Sequence, residues 1–140
     1  MKKIGKKTLK TLALSMVAIG AISTTTTFAS DDNIDYSFSI KSYYDNSYSA
    51  ERYRQTSNKD NKWKVDLQYS SEGNGTITTF WLDKSGTRVS EPHNVTQGTG
   101  AHYYSAYSTA NQSNVRLGAE NNNYSANTYT VSGKWDEETN

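Results

Sequence analysis

Residues 62–82 read Lys62-Trp63-Lys64-Val65-Asp66-Leu67-Gln68-Tyr69-Ser70-Ser71-Glu72-Gly73-Asn74-Gly75-Thr76-Ile77-Thr78-Thr79-Phe80-Trp81-Leu82. Trp63, Val65, Leu67 and Tyr69 alternate with Lys62, Lys64, Asp66 and Gln68, the period of two expected of a strand with one buried face. Ser71 to Gly75 supply residues that tolerate positive φ, and Thr76 to Leu82 returns as a second β-rich run. The unit therefore predicts a hairpin whose first limb, Trp63 to Tyr69, anchors the core. In the second limb Ile77, Thr79 and Trp81 share one face while Thr78, Phe80 and Leu82 share the other. Either both faces are covered, or Trp81 is displayed as a large aromatic on an outer sheet surface, where partners commonly bind.

Outward from this unit the same period recurs. Tyr36, Phe38 and Ile40 alternate with polar neighbours and predict a first strand; Tyr48 to Gln55 has no clean period, so that a strand and one helical turn over Ala50 to Arg54 both fit. After the turn at Asp83 to Gly86, short strands are expected around Val89 and Val95, with Pro92, the only proline, suiting a sheet edge. Ala101 to Tyr107 places Tyr103 and Tyr107 opposite Tyr104. Val115, Leu117 and Ala119 mark a further strand ending at Asn121 to Asn123. The last strand sets Tyr129, Val131, Gly133 and Trp135 on one face, before Asp136, Glu137 and Glu138, a charge run expected to be a solvated tail. The pattern predicts an all-β fold: a small antiparallel β-sandwich, Ig-like or Greek-key, of seven or eight short strands in a single domain.

The first 29 residues read differently. Lys2, Lys3, Lys6, Lys7 and Lys10 precede an apolar stretch from Leu12 to Ile22, and Thr27 and Ala29 occupy the small-residue positions of a signal-peptide cleavage site. The stretch is short for a membrane span, so residues 1–29 are expected to be a signal helix that is removed, leaving residues 30–140 as a secreted domain without a stable membrane span. That domain keeps ten basic and all fourteen acidic residues, a net charge of −4, which argues against nucleic acid or anionic lipid as a partner. The chain has no cysteine. Disulfides and thiolate chemistry are thereby excluded, and stability outside the cell must come from packing and strand pairing. Eleven Tyr and three Trp offset the low apolar content, because such residues bury large area while keeping a polar tip.

The chemistry-bearing residues form no recognisable catalytic constellation. Glu91, His93 and His102 could in principle ligate zinc, but their spacing matches no motif and two surface histidines are the simpler reading. Asp31, Asp32, Asn33 and Asp35, or Asp60 and Asn61, could offer oxygens to calcium without the spacing of a known loop. No nucleophile elbow or phosphate-binding glycine loop is visible, so no enzyme, cofactor or metal is expected. The aromatic surplus is more informative. Trp63 and Trp135 sit on apolar strand phases and are expected in the core, whereas Trp81, Tyr103, Tyr104 and Tyr107 are the binding candidates, with Tyr103 and Tyr104 competing for the surface.

Several segments carry a resemblance: Tyr36-Ser37-Phe38, Arg52-Tyr53-Arg54-Gln55-Thr56, Thr79-Phe80-Trp81-Leu82, Leu117-Gly118-Ala119-Glu120-Asn121 and Val131-Ser132-Gly133-Lys134-Trp135-Asp136-Glu137-Glu138. In these the chain resembles a family of short secreted Gram-positive bacterial proteins of unknown function (DUF2712). The resemblance implies export and a single β domain and carries no site residues across. The function expected is a secreted, non-catalytic binding or interaction protein, whose partner is a cell-wall polysaccharide or another protein; the alternative is a bacteriocin-like antimicrobial protein.

Overall fold

The computed structural model of the protein describes residues 31–139; the expected signal segment, residues 1–29, lies outside them. Among the described residues there are ten strands, one short 3₁₀ turn at Ser108–Ala110 and no α-helix. The strands are β1 (Ile34–Ile40), β2 (Ser47–Tyr48), β3 (Arg52–Arg54), β4 (Trp63–Ser70), β5 (Ile77–Lys84), β6 (Thr87–Arg88), β7 (His93–Thr96), β8 (Ala101–Tyr104), β9 (Ser113–Asn121) and β10 (Tyr129–Asp136). They form two antiparallel sheets, one ordered β1-β10-β4-β8 and one ordered β2-β9-β5-β6, in which β3 also pairs with β9 and β7 with β5. Ten strands replace the expected seven or eight. The Tyr48 to Gln55 run divides into β2 and β3, which share one edge of β9. Likewise β6 and β7 share one edge of β5, with Pro92 in the interruption between them.

The two sheets close on a core built from the alternating positions of the long strands. Tyr36, Phe38 and Ile40 meet Trp63, Val65 and Leu67, Phe80 and Leu82, Val115, Leu117 and Ala119, and Tyr129, Val131 and Trp135. Trp63 and Trp135 lie in the core, as the period predicted. Burying one indole removes on the order of 200 Å² from water, roughly 5 kcal/mol before the cost of ordering the ring.

The expected hairpin is not one. β4 pairs with β10 and β8 in the first sheet, whereas β5 pairs with β9, β6 and β7 in the second. The turn from Ser71 to Thr76 therefore carries the chain from one sheet to the other, using positive φ at Gly73 and Gly75. Tyr69 is displaced as well, and is 55% exposed. Leu67 opposes Gly133 and Tyr69 opposes Ser132, so Gln68 has no partner residue and forms a bulge. One extra residue reverses the phase beyond it, turning Tyr69 outward and Ser70 inward.

Trp81 resolves the other alternative: β5 is covered on both faces. The indole lies on the outer phase of its sheet and is nonetheless fully buried. Tyr48 meets it edge-on with centroids 6.2 Å apart, the Arg88 guanidinium stands 4.1 Å from the ring centroid, and the Arg116 guanidinium lies 3.7 Å from the Tyr48 centroid. These arginines are held by Glu120 at 3.1 Å and Asp83 at 2.8 Å respectively. A cap of paired charges and rings thus does for Trp81 what a third layer would do in a larger protein.

Candidate functional site

The acidic run after β10 is the first departure from expectation that positions a site. Asp136, Glu137, Glu138 and Thr139 are buried. Two backbone donors of the segment after β3, Gln55 and Thr56, reach the Glu138 carboxylate at 3.0 and 2.8 Å. Arg54, fully buried, donates to the carbonyls of Glu137 and Asn61 and to Asn111 Oδ1. Arg52 donates to the Glu137 carboxylate and, at 2.6 Å, to Asp32. The amide of Asp32 donates to Asp136 Oδ2 at 2.6 Å and that of Glu138 to Asp136 Oδ1 at 3.1 Å. The signal in the sequence was the Arg52-Tyr53-Arg54 alternation, which sets two cations on one strand; only the fold reveals that the acidic run lies beside it.

Electrostatics follow from this burial. Burial pushes the Asp136 carboxyl up to about 6, against the backbone hydrogen bonds from Glu138 and Asp32 that favour its charged form. Burial pulls the Arg54 guanidinium below its usual value, opposed by Glu138, Glu137 and Asp136. Arg52 is raised, chiefly by its hydrogen bond to Glu137.

This strap fixes the wall of an open groove of about 740 Å³, lined by Asp31, Thr56, Asn58, Asp60, Asn61, Lys62, Tyr103 and Thr139. The amide of Thr139 donates to Lys62 O at 2.7 Å and to Asn61 Oδ1 at 3.0 Å, and its hydroxyl donates to Lys62 O at 2.8 Å. Asp60 is paired with Lys59 at 2.7 Å, and Asp31 with the buried Lys64. Tyr103 stands directly opposite Lys64 in the β4–β8 ladder, with the ammonium 5.9 Å from its ring centroid. Its ring is half exposed on the outer face of an edge strand. What remains available in the groove is one aromatic face and the Lys62 ammonium, which has no ion pair among the described residues, beside hydroxyls, amides and paired carboxylates.

The four sequence candidates do not converge. Tyr103 lines the groove, while Trp81 lies buried on the other sheet, so its candidacy as an exposed ring is corrected by the cap of Tyr48 and Arg88. Tyr104 faces inward beside Trp63 at 5.3 Å and stacks on His93, rings 3.6 Å apart and 3° from parallel. That stack joins β8 of one sheet to β7 of the other at the rim of the core. Burial lowers the His93 pKa, opposed by Glu91, and raises that of Tyr104. Tyr107 is exposed and donates its hydroxyl to Glu91, which raises its pKa. Glu91 is thus engaged by Tyr107, whereas both histidines lie parallel to the Tyr104 ring, His102 at 6.1 Å between centroids while sharing a 2.7 Å hydrogen bond with Thr99. Among the described residues no three His, Cys, Asp or Glu side chains are placed to hold a metal ion, and no helix is long and apolar enough to cross a membrane.

The family described as "Protein of unknown function (DUF2712)" matches residues 24–139, a span that includes every strand and the strap. The chain belongs to this family. No curated protein and no solved structure matches it. Within this DUF2712 chain, segments that carried the resemblance meet in the fold: Arg52 to Thr56 and Val131 to Glu138 are the two sides of the strap, and Trp81 and Gly118 face each other across one ladder.

Proposed function

We propose that the protein is a secreted, non-catalytic binding module whose ligand is an uncharged glycan of the cell envelope, seated in the groove beside Tyr103. The observation that carries this reading is the lining itself: one half-exposed phenol ring bordered by Thr56, Asn58, Asn61 and Thr139. A sugar ring offers an apolar face and a girdle of hydroxyls, and such a wall answers both, stacking with the ring and hydrogen bonding with the rest. The groove carboxylates are paired with neighbours, Asp31 with Lys64 and Asp60 with Lys59, so that Lys62 is the one lining charge without an ion pair among the described residues and the rest of the wall is hydroxyl, amide and ring. Export is supported by the basic and apolar pattern of residues 1–29.

Co-sedimentation of the purified protein with cell-wall polysaccharide stripped of anionic polymers tests the reading. Retention is expected, and Tyr103→Ala should weaken it by about tenfold or more, the effect of removing one stacked aromatic anchor, while thermal unfolding stays unchanged. A protein that stays in the supernatant with every neutral wall glycan refutes it. If such a protein also inhibits growth of related bacteria, the bacteriocin-like reading takes its place.

A further inference from the structure

Three tyrosines that line neither the groove nor the core form a second aromatic cluster. Tyr43 and Tyr44 follow β1, Tyr124 lies between β9 and β10, and they are 53%, 45% and 69% exposed. The Tyr124 ring centroid is 5.0 Å from that of Tyr43 and 5.4 Å from that of Tyr44, with the rings tilted by 50° and 54°. Their backbone is unusual. Tyr43 and Tyr44 have φ of 56° and 60°, and the Asp45 amide donates to Ser42 O at 3.1 Å, so Ser42 to Asp45 is a turn with both central residues left-handed. Such turns strongly favour Asn-Gly, and a bulky side chain at either position is strained. The chain places two tyrosines there, in consecutive positions.

The strain is held by a second, braced loop. The Tyr43 amide donates to Ser125 O at 2.8 Å. Within that loop Ser125 Oγ accepts from the Asn121 side chain and the Asn127 amide, both at 3.3 Å, and the Asn123 amide donates to Asn121 Oδ1 at 3.0 Å. Three exposed rings are thereby pre-organised among side-chain amides and hydroxyls. Lys41, the cation at the root of the turn, is held by Asp45 at 3.4 Å and by the Asn46 carbonyl at 3.1 Å, so the cluster presents no free positive charge to a phosphate or an anionic membrane.

We infer that Tyr43, Tyr44 and Tyr124 form a second stacking site for the same class of uncharged glycan, making the protein a bivalent cross-linker of a polysaccharide. This inference rests on the glycan reading of the groove. The β1–β10 ladder runs from Ile34 opposite Trp135 to Ile40 opposite Tyr129. Asp31, before β1, belongs to the groove, and Tyr43 follows its far end; the two sites are therefore separated by the ladder, roughly 20–25 Å at about 3.3 Å per residue. Two sites so placed reach two segments of a polymer at once and gain from effective concentration.

The test compares wild type, the turn variant Tyr43→Asn/Tyr44→Gly with Tyr124→Ser, and the groove variant Tyr103→Ala, using stripped wall fragments as the probe. Wild type should retain on the fragments and clump them, read as turbidity. The turn variant should stop clumping and retain at least about tenfold more weakly, while unfolding a few degrees higher because the strained turn has received its preferred residues. Undiminished clumping by a turn variant that still binds overturns the second site and leaves the groove reading standing. A turn variant that unfolds at lower temperature shows that the tyrosines serve stability, which also overturns it. Failure of wild type to bind any fragment removes both readings together.

Discussion

Trp81 and Gly118 face one another across the β5–β9 ladder, and the indole occupies the space that a Cβ at Gly118 would take. The absence of one side chain is what lets the largest one lie flat on the outer surface of the sheet, where Tyr48 and Arg88 then cover it. The indole is rigid and backbone lies beneath it, so no small adjustment makes room for a methyl group there.

Gly118→Ala should therefore destabilise the protein by about 2–3 kcal/mol, the range of an overpacked site without freedom to relax, measured by denaturant unfolding. Trp81→Ala should cost about 3–5 kcal/mol and, in the Gly118→Ala background, much less than that. Additive losses in this double-mutant cycle would mean that the two residues do not act through each other.

Arg54 gives a second prediction. Its buried guanidinium serves the carbonyls of Glu137 and Asn61 and the Asn111 side chain, and its removal takes away a buried positive charge that interacts with Glu138, Glu137 and Asp136. Arg54→Met should lose about 3–5 kcal/mol, and Arg54→Lys should recover little, because an ammonium cannot span three partners in a plane. A fully folded Arg54→Met variant of wild-type stability, by chemical denaturation, contradicts this role.

The strap also sets a pH dependence. The Asp136 carboxyl titrates at about 6 in the folded protein against an ordinary 3.8, so the folded state binds the proton more tightly than the unfolded one. Its contribution to stability is fully present below about 3.8 and is lost as pH rises through about 6. His93, whose pKa burial lowers, works in the opposite sense, losing stability as pH falls. Only a difference between proteins isolates the carboxyl: wild type minus Asp136→Asn should show stability falling with rising pH across that window. A flat difference curve would mean that Asp136 is not held in a desolvated position.

How much of this was legible beforehand varies with the range of the interaction. The phases of β4, β9 and β10 are periodic along the chain, so Trp63, Val65, Val131 and Trp135 were assigned to the core from local pattern alone. The turn at Ser71 to Gly75 misled because a sheet-to-sheet crossing and a hairpin demand the same glycines with positive φ; only the partners of β5, which lie at β9, distinguish them. Gln68 shifted the phase because a bulge is set by the opposing strand. The alternation leaves Tyr103 and Tyr104 as equal candidates for the surface, and only the pairing of β8 with β4 exposes Tyr103; Trp81 is not exposed, since its cover comes from Tyr48 and Arg88 and the space for it from Gly118. The acidic run read as a tail because its partners, Arg52 and Arg54, lie more than eighty residues earlier. Tyr43 and Tyr44 carry no turn signal for a different reason: their residue types are the wrong ones for the turn they make.

The most direct test of the central claim is a map of backbone amide shifts by nuclear magnetic resonance as the isotope-labelled protein is titrated with soluble, uncharged wall oligosaccharides. The account predicts saturable shifts in two separate sets, one around Thr56, Asn61 and Tyr103 and one around Tyr44 and Tyr124, with the Trp81 and Arg88 face unmoved. Shifts confined to the Trp81 and Arg88 face, or none at millimolar oligosaccharide, would contradict it.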